Sequence, residues 1–287
     1  MKQFKINSFC KINLSLRVLK KLNSGLHSIR TLITFCNLHD IITISKIKSQ
    51  NDKIIFSGKF KNKINRKSNT ISKILKLLRK EKIIKKHSFK IDIKKNIPHG
   101  SGLGGGSSNA ASLLKFLNLN MKLKLNKKKL IKLTSKIGFD VPICLEKKNT
   151  LLTGKKNEIL RLKRNFGLNI LIVYPNIICS TKKIYNKNKN FTKKRFSSKF
   201  YTGGKSNLIN FLAKETNDLE KSAVILYPRI KKVLNIIKAQ KGCYISRITG
   251  SGSACVGIFS NMRNADLAQK MLKLKFPKYW CVVSKTI

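Results

Sequence analysis

The chain has 287 residues, with 63 Lys+Arg against 11 Asp+Glu and a formal net charge of +52. Its length suits one large domain or two ordinary ones, and a hydrophobic content of 41% excludes a disordered basic tail. No apolar stretch approaches the roughly 20 residues of a membrane helix and residues 1–5 carry no signal-peptide core, so a cytoplasmic protein with no membrane partner is expected.

Residues 11–18 alternate. Ile12, Leu14, Leu16 and Val18 fall on one face, and Lys11, Asn13, Ser15 and Arg17 on the other, which predicts a half-buried strand. A turn at Asn23-Ser24-Gly25 follows, then strands at 41–47 and 54–56. Asn69 is placed to cap a helix through Ile71, Ile74, Leu77 and Leu78. Phe89, Ile91 and Ile93 alternate as a strand leading to Pro98 and a glycine cluster. Helices are predicted at 109–117 and, after Asn126, at 127–136. Residues 168–173 read as a buried strand ended by Pro175. Residues 182–200, rich in Lys and Asn, read as a mobile loop closed by a Gly203-Gly204 break. Helices at 222–226 and 230–239, a strand pair at 244–248 and 254–259, and a helix at 265–274 follow. A last strand at 280–283 either stays in the C-terminal half or returns to the N-terminal one. Strands and helices mix without strict alternation, which favours α+β over a doubly wound sheet.

The densest chemistry lies in Pro98-His99-Gly100-Ser101-Gly102-Leu103-Gly104-Gly105-Gly106-Ser107-Ser108-Asn109-Ala110-Ala111. Glycines let the main chain reach positive φ and let a phosphate approach it. A helix start then offers N–H groups and a favourable dipole. Ser107 and Ser108 add hydroxyls for phosphate oxygens or Mg²⁺. The dinucleotide fingerprint formally fits, but it wants an acid about 20 residues on, and none lies between Asp92 and Asp140. The Walker pattern needs a Gly-Lys-Ser/Thr ending, and protein kinases need His-Arg-Asp and Asp-Phe-Gly. This loop ends without that lysine, and neither protein-kinase signature occurs. A flexible linker is the bland alternative.

At its full length the segment resembles the second motif of the GHMP kinases, the superfamily of galactokinase, homoserine kinase, mevalonate kinase and phosphomevalonate kinase. Lys11-Ile12-Asn13-Leu14-x-Leu16-x-Val18, Gly25-x-His27, Thr31-Leu32 and Asp40-x-Ile42-Thr43-Ile44 resemble one branch, the 4-diphosphocytidyl-2-C-methyl-D-erythritol kinases of the non-mevalonate isoprenoid pathway. Gly138-x-Asp140-Val141-Pro142 is similar to the branch's catalytic-aspartate motif, and 249–255 to the superfamily's third motif. The resemblance implies a two-domain α+β fold. A ribosomal protein S5 domain 2-like N-terminal part (1–160) with the ATP loop would join a ferredoxin-like C-terminal part (161–287).

It also implies roles. Residues 98–108 would cradle ATP, with Ser108 a candidate Mg²⁺ contact or simply a helix cap. Asp140 would be the general base and Lys11 the cation beside it, keeping Asp140 ionised and favouring an emerging alkoxide. An ordinary helix cap is the alternative for Asp140. The substrate would be a small, cytidine diphosphate-linked alcohol touching Asn13, His27, Thr181 and Tyr185. His27 and Tyr185 would hold the cytosine, or Tyr185 would merely anchor a loop. The branch usually carries Asp-Gly-Tyr-His in its first turn, whereas this chain has Ser24-Gly25-Leu26-His27, so one stacking ring is replaced by leucine.

Two other readings stay open: another superfamily kinase, with homoserine kinase nearest, or an RNA-binding protein with an S5-like domain. The second draws on the charge and on Phe191, Phe196, Phe200 and Tyr201 among lysines. Lys, Ile and Asn are abundant together, as A/T-rich codons favour, so compositional drift explains the charge equally, and nucleic acid is expected to bind only nonspecifically. Seven scattered cysteines without a C-x-x-C read as reduced and mostly buried. The sequence sets no oligomeric state.

Overall fold

A computed structural model describes residues 2–65, 68–84, 87–153, 158–192 and 204–287. The chain folds as two compact units, each drawing on several stretches. The first takes Met1–Lys11, Leu38–His99 and Gly104–Lys147, and the second Ile12–Asn37, Gly100–Leu103 and Lys148–Ile287.

In the first unit, the end of β2 (His27–Ile47) pairs antiparallel with β4 (Ser88–Lys94), and β3 (Lys53–Ser57) pairs parallel with β4. Alternation sets the register: Ile42 faces Ile93 and Ile44 faces Ile91, all buried, while Lys90 and Lys94 stay exposed. Helix α1 (Thr70–Lys80) starts at Asn69, whose side chain accepts from Ser72 N–H while Ser72 Oγ accepts from Asn69 N–H, each at 3.0 Å. This reciprocal cap fixes where the buried stripe Ile71, Ile74, Leu75 and Leu78 begins. Helix α2 (Gly105–Asn120) buries Ala110, Ala111, Leu113, Leu114 and Leu117. Its small first turn lies against α1, where Thr70 Oγ1 donates to the Gly106 carbonyl at 2.7 Å. Asn126 caps α3 (Lys127–Ser135) by accepting from Lys129 N–H.

In the second unit, the beginning of β2 pairs with β5 (Thr150–Thr153), which pairs in turn with β6 (Glu158–Arg161). A separate antiparallel sheet is built from β7 (Asn169–Tyr174), β8 (Cys243–Ile248), β9 (Cys255–Phe259) and β10 (Trp280–Lys285) in the order β10-β7-β9-β8. With helices between β7 and β8 and between β9 and β10, this is the ferredoxin-like arrangement. Its core joins Leu171, Val173 and Phe259 to Val233 and Ile237 of α7 (Arg229–Lys238) and Leu272 of α8 (Met262–Lys275). The last strand pairs with β7 in the C-terminal sheet, and the chain then returns to β2, where Thr286 bridges Cys36 and Ile287 N–H donates to the Phe35 carbonyl at 3.0 Å.

Several expectations change. Strand β1 (Gln3–Lys21) is not half-buried at its centre, because Lys11, Asn13 and Ser15 are buried as well as Ile12 and Leu14. Polar side chains tolerate this when partnered: Asn13 Nδ2 donates to Thr31 Oγ1 at 2.8 Å, and that hydroxyl donates to the Ser15 carbonyl at 2.6 Å. The expected loop at 182–200 begins as helix α4 (Thr181–Lys187), capped by Ser180 and anchored by the buried Ile184. Phe196, Phe200, Tyr201 and Gly203 lie outside the described residues. The short strands β5 and β6 and helix α5 (Lys205–Lys214) were not foreseen. Helix α6 (Glu220–Leu226) starts two residues earlier than expected. All seven cysteines are free thiols, and all but Cys243 are buried.

Candidate active site

The glycine loop changes character along its length. Its second part, in the first unit, turns from Gly104 (φ +68°) into α2, and no side chain caps that helix start. Uncapped first-turn amides of this kind suit an anion. A Cβ on Gly104 would stand 2.5 Å from Lys11 Cγ and 2.9 Å from its Cε, so the lysine stem runs directly past the loop. Lys11 then places Nζ 3.1 Å from Asp140 Oδ2. The lysine side chain is 4% exposed and the aspartate 40%, so a sheltered cation stands behind an open carboxylate. Asp140 sits in the turn ahead of the short 3-10 segment Ile143–Leu145, whose N-cap residue is Pro142 rather than Asp140. The buried Val141 and Ile143 pin that turn.

Within this unit the structure thus brings together Gly104, Lys11 and Asp140. Ser108 is different: it is buried, and its Oγ contacts Cys144 Sγ at 3.3 Å. Ser107 is the more open hydroxyl. Pro98 is buried and His99 exposed.

The loop's first part belongs to the second unit. Gly102 has φ +82°, and a Cβ there would collide with the Thr249 carbonyl. Ala254 N–H donates to the Ser101 carbonyl at 3.0 Å, and Asn13 N–H to Thr249 Oγ1 at 2.9 Å. The third glycine-rich motif is therefore laid against residues 101–102, and Asn13 is held by it. At Gly100, with φ +64°, a Cβ would stand 3.0 Å from Ile178 Cγ2. His27 and Tyr185 lie together, ring centroids 4.8 Å apart at 34°. Burial, and then the charge of Lys21, pushes the His27 imidazole below its ordinary value. Leu26 beside it is 42% exposed. Thr181 pairs its hydroxyl with Ser251 Oγ at 2.8 Å.

Sequence reasoning did not single out the buried cluster of Asp40, Lys95 and Asn109 beneath the start of α2. The available signal was Asp40 itself, one of 11 acids and part of a matched motif. Among the described residues no group of three His, Cys, Asp or Glu could hold a metal ion. No helix there is long and apolar enough to cross a membrane.

The GHMP kinases N terminal domain family matches residues 69–148, and the GHMP kinases C terminal family matches residues 205–278. The 4-diphosphocytidyl-2-C-methyl-D-erythritol kinase of Pelagibacter ubique is 38% identical over 289 residues, covering 100% of both chains. The enzyme of that name from Caldicellulosiruptor bescii is 36% identical over 94% of each. A crystal structure of 4-(cytidine 5'-diphospho)-2C-methyl-D-erythritol kinase shares the fold, with a TM-score of 0.74 at 23% identity over 98% of this chain and 99% of that one. The α+β architecture, the uncapped glycine helix start and the full-length likeness agree, and the chain belongs to the 4-diphosphocytidyl-2-C-methyl-D-erythritol kinase family of the GHMP kinases.

Proposed function

We propose that this chain uses ATP to phosphorylate the 2-hydroxyl of 4-diphosphocytidyl-2-C-methyl-D-erythritol, in the cytoplasm, as a step of the non-mevalonate isoprenoid pathway. The observation that carries the chemistry is the Lys11–Asp140 pair beside Gly104. Phosphoryl transfer to an alcohol needs a cradle for the phosphates, charge neutralisation and a positioned hydroxyl.

Residues 98–108 supply the cradle: α2 starts after Gly104 with no side-chain cap, so its first-turn N–H groups suit the phosphates of a nucleotide. Asp140 is far too weak a base to deprotonate an alcohol outright. It orients the hydroxyl and accepts its proton late in a loose transition state. Lys11, 3.1 Å from that carboxylate, stabilises negative charge on the attacking oxygen. Mg²⁺, when bound with the nucleotide, supplies further neutralisation. Such an ion is held largely by phosphate oxygens and water. Ser107 is the readier hydroxyl for it, since Ser108 would first have to leave Cys144.

His27 and Tyr185 would hold the cytosine, with the exposed Leu26 giving apolar contact beside them. Asn13 and Thr181 would touch the rest of the substrate. The homoserine-kinase and RNA-binding readings are not favoured, because relatives matching at 38% and 36% along the chain are named for the cytidylyl substrate. The test is ATP consumption with that substrate against homoserine and mevalonate. Turnover with the first alone is expected, and turnover of homoserine alone would overturn the substrate assignment.

A further inference from the structure

One carboxylate joins the two ends of the nucleotide loop. Asp40 accepts from the backbone N–H groups of Asn96 at 2.8 Å and Ile97 at 2.9 Å, just where β4 runs out. It also accepts from Nδ2 of Asn109 at 3.1 Å, in the second turn of α2. Its fourth partner is the Lys95 ammonium, in direct contact, and all three side chains are buried. Lys95 Nζ in turn lies 3.4 Å, and Ile97 Cγ2 2.9 Å, from where a Cβ on Gly105 would stand. The residues entering the loop therefore press directly on its exit.

A buried ion pair is a poor way to gain stability. Desolvation offsets most of the attraction, and apolar replacements of similar volume are often as stable. Burial draws Lys95 below its ordinary value while Asp40 pulls it back up, so the ammonium depends on this partner. What the arrangement does provide is fixed geometry, since four donors converge on one rigid group.

We propose that Asp40, with Lys95 and Asn109, is a positioning strut for the nucleotide loop: it clamps residues 95–97 and α2 together so that the first-turn amides stand where a triphosphate meets them. This rests on the kinase reading above.

Two variants test it. Asn109→Ala frees one foot of the loop while keeping a good helix former, and Asp40→Asn keeps the shape and removes the charge. ATP affinity is measured by calorimetry with Mg²⁺ and no alcohol present, and KM is then determined for each substrate. For Asn109→Ala we expect ATP binding weakened about tenfold, KM for ATP raised in step, and KM for the alcohol within about twofold. Asp40→Asn should lose more ATP affinity. ATP affinity within about twofold of wild type in a folded Asn109→Ala protein overturns the strut, and so does a parallel rise of both KM values. A wrong alcohol would show as missing turnover with intact ATP binding in the wild type, and would leave the calorimetric comparison between variants unaffected.

Discussion

Asp140 faces solvent with 40% of its side chain exposed, while Lys11 behind it is nearly closed off. That asymmetry suits the general base proposed above, which must meet a substrate hydroxyl. Asp140→Asn keeps the shape and removes the acceptor, so kcat should fall by roughly 10²–10⁴-fold, the usual share of a positioned base. ATP affinity measured by calorimetry should change little. Equal losses in both would mark a structural role instead. His27 makes a separate prediction. Its folded imidazole sits below the ordinary value of about 6.5, so the unfolded chain binds more protons between the two values. Stability therefore falls as pH drops through the ordinary value and levels off below the lowered one. His27→Gln should flatten that part of a melting-temperature profile. Among single residues, the scarcity of acids, 11 in the chain, narrows the candidates for a base, but Asp140 is singled out only through the resemblance of its motif. Lys11 was one basic residue of 63 and stood out only through the pattern around it. Asp40 and Lys95 stayed hidden because their partnership spans 55 residues and no local period records it.

Helix α2 begins four residues earlier than the sequence suggests, at Gly105 rather than Asn109. Glycines are poor helix formers, but at Gly105 a Cβ would stand 2.9 Å from Ile97 Cγ2, which leaves no room for a larger residue. Gly104→Ala should be costly twice over. Its φ of +68° strains any other residue by roughly 1–3 kcal/mol, and the new methyl would displace the Lys11 stem. Loss of most activity, together with a lower melting temperature, is expected. At α1, Asn69→Ala removes the reciprocal cap with Ser72. That should cost about 1 kcal/mol and lower the melting temperature by roughly 2–4 °C without changing KM, as scanning calorimetry and steady-state kinetics would show. The caps at Asn69 and Asn126 were readable because they are local chemistry. Helix α4 was not, because Lys and Asn dominate it and one buried residue, Ile184, holds it down. Helix α5 likewise shows only Leu208 and Leu212 on its buried face.

Across the whole chain, the charge of +52 should act on encounter more than on chemistry. Both proposed substrates are anionic, so their KM values should rise severalfold between about 50 and 500 mM KCl, with kcat nearly constant. Nucleic-acid binding should disappear over the same range. The ferredoxin-like strand order β10-β7-β9-β8 could not be read from composition or periodicity, because sheet neighbours are set by contacts between distant residues. The resemblance to the GHMP kinases supplied it. Three of the thiols carry a practical consequence at this scale. Burial pushes Cys179 up to about 11, and raises Cys243 and Cys255 as well. Since the thiolate is the reactive form, all three stay almost wholly protonated near neutrality. An electrophilic warhead aimed at those sulfurs would react slowly, and so would peroxide. Drug discovery against this enzyme would do better to seek reversible mimics of the cytidine headgroup or the nucleotide tail.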